Sequence, residues 1–143
     1  MTTRSSGSNY AASRSFPAKF NLCEIPFLQK RYPAAREGWE ALYARTAADD
    51  PTIELLVYRI YLTHLLELDM RGAKEWLEKL PFPSQTPAYQ YAHAAWERQN
   101  GNPAKWKEWI ESAEFIWPIS KRASFSDVLY QLKWLEHDEH SLK

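Results

Sequence analysis

The pentapeptide Lys107-Glu108-Trp109-Ile110-Glu111 has a near-copy 33 residues earlier, Lys74-Glu75-Trp76-Leu77-Glu78. Extending the comparison sets Ala73 against Trp106, Leu80 against Ala113 and Asp69 against Asn102. A period of this length holds two helices and two turns, which implies stacked helical hairpins. On a helix, Trp106, Trp109, Ile110, Ala113 and Trp117 fall at i, i+3, i+4, i+7 and i+11 and share one face. Lys105, Lys107, Glu108, Glu111 and Glu114 stay off that stripe. Lys107 with Glu111, and Lys74 with Glu78, are four apart and can pair weakly on the exposed side. One amphipathic helix cannot bury its stripe alone, so each copy requires a neighbouring hairpin. Trp76 and Trp109 are expected to be equivalent buried anchors.

Composition agrees with helices. The 143 residues contain only four Gly, 45% are apolar and 15% aromatic, so one domain with a substantial core is expected. Lys plus Arg and Asp plus Glu both number 18, and this neutrality argues against general nucleic-acid binding. No run of about 18 apolar residues is present to span a membrane. No apolar stretch of roughly 7–15 residues follows the start as in a secretory signal. The single Cys23 excludes an internal disulfide and fits a reducing compartment, hence a cytoplasmic location.

Residues 1–19 read as a disordered tail, rich in Ser, Thr, Gly and Asn, with Arg4, Arg14 and Lys19 as its charges. Arg and Ser without acids also suit an organelle transit peptide, the alternative reading of this segment. Pro26 can open a short helix over Phe27–Arg31. A helix of about 33–47 follows, with Ala35, Trp39, Leu42 and Tyr43 as its stripe. Asp49-Asp50-Pro51 separates it from the most strongly patterned helix, about 52–67. There Ile53, Leu56, Val57, Ile60, Tyr61, His64, Leu65 and Leu68 form one face, and Leu55, Tyr58, Leu62 and Leu66 another. A helix apolar on two faces is covered on two sides, so this one is central. A shorter helix, about 70–80, ends before Pro81. Thr86-Pro87 and Asn102-Pro103 each give a cap and a first-turn proline, opening helices of about 87–99 and 103–117. Ala88, Tyr91, Ala92, Ala95 and Trp96 form the stripe of the first, and Gly101 closes it. A last helix, about 121–136, buries Phe125, Val128, Leu129, Leu132 and Leu135 and caps the stack. Residues 138–143 form a polar tail.

The pairs 52–80 and 87–117 resemble tetratricopeptide repeats, which recur at about 34 residues with small and large apolar positions and a closing proline. Ala73 and Leu77 match that pattern in one copy. Ala94, Gly101, Ile110, Ala113 and Pro118 match it in the other. Trp106 and Tyr61 depart from it, standing where the family places small residues. The resemblance covers the two pairs, with helices 33–47 and 121–136 as flanking half-repeats. It implies an all-α fold, antiparallel hairpins stacked as a short solenoid over 20–137. It also implies a non-catalytic scaffold that holds a peptide or partner subunit in a groove lined by the first helix of each pair. By position, Tyr58, Arg59, Leu62, Tyr91, Arg98 and Gln99 are groove candidates. In so short an array, Tyr58 and Leu62 are equally well placed for the core. Tyr130 and Trp134, four apart and off the main stripe of the last helix, either rest on its rim or anchor a dimer or partner.

Candidate chemistry is sparse. His137 and His140 flank Asp138-Glu139 and have the spacing for a shared metal, but a terminal polar segment without further ligands favours a solvated tail. His64 lies on the central apolar stripe, as a packed and hydrogen-bonded histidine would. His93 follows in the next first helix, and a pocket around both imidazoles would mark a small helical enzyme or sensor. Cys23 reads as a buried thiol rather than a nucleophile. Asp49 and Asp50 mark a helix boundary rather than a carboxylate pair for glycoside hydrolysis. No Gly-rich phosphate loop is present. The seven Trp recur at helical spacing, which indicates core packing rather than sugar stacking. No cofactor or metal is expected. An RNA-binding repeat like the pentatricopeptide family is the remaining alternative, disfavoured by the absent basic excess.

Overall fold

The computed structural model describes residues 16–136, and among these there are seven helices and no strand. They are α1 (16–28), α2 (Tyr32–Arg45), α3 (Ile53–Leu66), α4 (Met70–Leu77), α5 (Ala88–Gln99), α6 (Pro103–Ile116) and α7 (Ile119–Gln131). None of them is long and apolar enough to cross a membrane.

The two-faced pattern of 52–67 has the consequence expected of it. Ten of the fourteen residues of α3 are buried, and α2, α4, α5 and α7 all pack against it. Because most of its side chains are buried, their polar atoms must find partners on neighbouring helices. Tyr61 donates its hydroxyl to the Ala92 carbonyl on α5 at 2.7 Å, and Tyr58 donates to the Phe125 carbonyl on α7 at 2.8 Å. Gln99 Nε2 donates back to the Leu65 carbonyl at 3.3 Å. These bonds fix how α5 and α7 sit on the central helix. The α5–α6 pair is closely packed, and α4 lies against α3 far more than against α5.

The largest departure from the sequence expectation is at the N-terminus. Residues 16–19 belong to a helix rather than to a tail, and Pro26 lies inside α1 rather than opening a helix after it. The stripe Phe16, Phe20, Cys23 and Phe27 explains why. It runs at i, i+4, i+7 and i+11 and lies against the core. Residues 1–15, and with them most of the expected tail, lie outside the described residues, as do 137–143.

The two pentapeptide copies do fall on helices, but their tryptophans are not equivalent anchors. Trp76 and Trp109 are only half-buried. Trp76 meets Tyr43 of α2 edge-on at 5.1 Å, whereas Trp109 meets Tyr89 and His93 of α5. The fully buried indole is Trp39, on α2. The last helix begins at Ile119 and stops at Gln131, so Leu132, Trp134 and Leu135 pack from the turn that follows it. It touches α3 and α5 as well as α6.

Alternate helices end in the same way. Lys30, Leu68, Gly101 and Lys133 adopt φ of 63, 63, 79 and 66°, just beyond α1, α3, α5 and α7. The next amide reaches back five residues in each case: Arg31 to the Pro26 carbonyl at 2.7 Å, and Asp69 to His64, Asn102 to Glu97 and Trp134 to Leu129 at 2.9 Å. This is the left-handed closure that satisfies orphan carbonyls, and glycine adopts it without a side-chain penalty. Only Gly101 has that freedom. Leu68 is 70% exposed, so it pays the conformational cost without gaining burial. Leu68→Gly should raise unfolding stability by about 1 kcal/mol, read as a higher urea midpoint at unchanged slope. A lower midpoint would mean that the Leu68 side chain contributes packing that outweighs the backbone cost.

Candidate functional site

Arg59 interrupts the apolar run of α3, and a charge placed inside a covered helix needs both a counter-ion and hydrogen bonds. Its residue is 3% exposed. Glu24 of α1 supplies the counter-ion. The guanidinium carbon lies 4.7 Å from the ring centres of Phe27 and Trp39 and 5.6 Å from that of Phe20, so aromatic rings from α1 and α2 cage the cation. Trp39 is held by donating Nε1–H to the Phe20 carbonyl at 3.3 Å. Burial pulls the Arg59 guanidinium below its ordinary range, and the Glu24 charge opposes that pull. Burial, and then the Glu24 charge, push the neighbouring Cys23 thiol up, while the Arg59 charge opposes that shift. One donor of the cage is left over: Arg59 Nε has no hydrogen-bond partner among the described residues.

Arg59 and Glu24 form part of the lining of a cleft of about 410 Å³ between α1, α3 and α7. One wall is apolar, with Phe16 and Phe20 from α1, Leu55 from α3 and Val128 from α7. Its rim is polar, with Asn21, Ser124, Asp127 and Gln131. The cleft therefore combines an apolar wall, a buried donor without an acceptor and a ring of hydrogen-bonding groups. That combination is what small concave sites use to fix a ligand's orientation. A cavity of about 430 Å³ beside α2 and α3 differs in this respect. Its buried Glu54 already accepts a hydrogen bond from Thr86. A third cleft, of about 330 Å³ and including Leu22 and Leu42 in its lining, is almost wholly apolar.

Of the sequence-predicted groove residues, Arg59 lines the cleft, but from its interior. Tyr58, Leu62 and Tyr91 are buried at 1% exposure or less and line no open groove, because α5 and α7 pack over the face of α3 that would have formed it. Burial raises the hydroxyl of Tyr91 to about 12. Arg98 does not face the cleft. Its guanidinium lies 5.3 Å from the Trp106 ring centre and 5.0 Å from that of Trp134. Gln99 is occupied with the Leu65 carbonyl. Trp134 is half-buried and packs edge-on to Trp106 at 6.2 Å. Tyr130 is half-buried on α7.

The histidines engage separate neighbours. His64 Nδ1 lies 2.9 Å from Asp69 Oδ2 and 3.3 Å from an Arg36 nitrogen, where Arg36 also pairs with Glu67. His64 is thus half-buried at the α3–α4 turn rather than in the core. His93 stacks between Tyr89 at 4.2 Å and Trp109 at 5.1 Å, and burial holds its pKa below the ordinary value. They share no described contact, and neither lines any of the three clefts. Among the described residues no cluster of three or more His, Cys, Asp or Glu could hold a metal ion. His137 and His140 lie outside those residues.

Sequence reasoning missed Glu24, Phe16, Phe20 and the α7 residues of the cleft. The available signal was the i, i+4, i+7, i+11 stripe from Phe16 to Phe27, obscured by Pro17, Pro26 and the polar residues upstream.

Comparison of the chain with protein-family models, with curated proteins and with solved structures found no match.

Proposed function

We propose that the chain is a non-catalytic protein-interaction module, a tetratricopeptide-like helical array that holds a peptide or a segment of a partner subunit in the cleft between α1, α3 and α7. The observation that carries this reading is that Arg59, whose Nε is a buried donor with no acceptor among the described residues, is one of the residues lining a cleft with an apolar wall and a polar rim. An unsatisfied buried donor costs about 1–3 kcal/mol, and a ligand acceptor that reaches it recovers part of that cost on binding. A peptide suits the site because its carbonyls are acceptors and its side chains can fill the apolar wall. The array reading is supported by the left-handed closures at positions 68, 101 and 133, a period close to that of the pentapeptide copies.

Ser124 is exposed on α7 at the rim, so it can be enlarged without touching the core. Peptides selected from a random displayed library against the full chain should lose at least about tenfold in affinity against Ser124→Trp. The thermal unfolding temperature should stay unchanged. Selected peptides that bind both proteins equally would place the binding surface elsewhere.

A further inference from the structure

We infer that the cleft selects a peptide segment with one apolar anchor residue flanked by a lysine or arginine; this rests on the reading of the cleft as a peptide site. Three ionisable groups line it: Glu24, Arg59 and Asp127. Arg59 is not available to an acidic ligand. Its planar faces are caged by three rings and Glu24 already neutralises it, so it offers a hydrogen-bond donor without net charge. Asp127 is different. It is exposed on α7, and no cation pairs with it among the described residues. The charge of the lined cleft is therefore negative, and the uncompensated part of it sits at the rim, where a ligand enters. A basic side chain meets Asp127 there, an apolar side chain reaches the wall of Phe16, Leu55 and Val128, and a peptide carbonyl takes the Arg59 Nε–H. An acidic peptide meets like charge at the same rim and gains nothing from Arg59. Charge complementarity of this kind sets specificity and encounter more than raw affinity, so the effect belongs in a comparison of matched ligands.

The probes are two sets of synthetic peptides with the same central Leu or Phe, one flanked by Lys and Arg, the other by Asp and Glu. Binding to the full chain is measured by fluorescence anisotropy at low and high salt. The basic set should bind at least about tenfold more tightly, with the difference shrinking as salt rises. Asp127→Lys should abolish or reverse the preference at unchanged unfolding temperature. A protein lacking residues 1–15 should keep it, which excludes competition from the Arg-bearing N-terminal segment as the source of selectivity. Equal or tighter binding of the acidic set would overturn the charge inference while leaving the peptide site standing. Failure of both sets to bind, with and without residues 1–15, would instead remove the peptide reading on which the inference rests.

Discussion

Trp39→Ala should cost about 3–5 kcal/mol of unfolding free energy, the range for truncating a large aromatic in a closed core. Trp39 is fully buried on α2, where Phe20 and Phe27 of α1 lie with ring centres 5.4 and 5.5 Å away. Truncation removes more than volume. It takes away one wall of the Arg59 cage and the hydrogen bond to the Phe20 carbonyl. All three losses fall on the seam between α1 and the rest of the molecule. Urea denaturation gives the magnitude, and amide hydrogen exchange gives the place: protection should fall first along 16–28. The equivalent truncation of Trp109, half-buried against Tyr89 and His93, should cost clearly less. Equal costs at the two positions would restore the repeat tryptophans as the main anchors and displace Trp39 from that role.

That ordering inverts what the repeated pentapeptide suggests, and the reason is geometric. Sequence periodicity reports which side of a helix is apolar, and it does so well here. Leu56, Val57, Ile60, Tyr61 and Leu65 on one apolar face of the central helix and Tyr58 and Leu62 on the other are buried, as are Ala35, Trp39 and Leu42 on α2, whereas Ile53, Leu55, His64 and Leu66 are half-buried and Leu68 is exposed. Periodicity does not report which neighbour covers a stripe. Trp76 and Trp109 occupy the same place in the repeat, yet one faces α2 and the other α5. The site was less legible than the fold for a related reason. Arg59 stands in the sequence as a lone basic residue within an apolar helix, which is itself a sign of a buried pair or a ligand site. Its partner could not be named, because Glu24 lies 35 positions away on a helix hidden behind two prolines and a polar leader. The burial of Tyr58 and Leu62 depended on where α7 turns back, and chain direction after Pro118 is not written in any local pattern.

The Glu24–Arg59 pair carries the second large effect. Glu24→Leu leaves a guanidinium that is 3% exposed without its anion, and an orphaned buried charge of this kind costs about 3 kcal/mol or more. Removing both charges is different in kind. The double variant Glu24→Leu with Arg59→Met keeps apolar bulk against Phe20, Phe27 and Trp39 and no longer desolvates an ion. It should return to within about 1 kcal/mol of the parent protein, since apolar replacement of a buried pair is often neutral or stabilising. A double-mutant cycle from urea unfolding reads the coupling, and strict additivity of the two single changes would show that the pair does not act as a unit. The same double variant separates stability from recognition. It is expected to fold, but it lacks the Arg59 Nε–H that the proposed peptide site presents to a ligand carbonyl. Its affinity for the basic peptides should therefore fall at least about tenfold while its unfolding midpoint stays near that of the parent. Undiminished peptide affinity in that variant would confine Arg59 to a structural part and leave the apolar wall and Asp127 to account for binding.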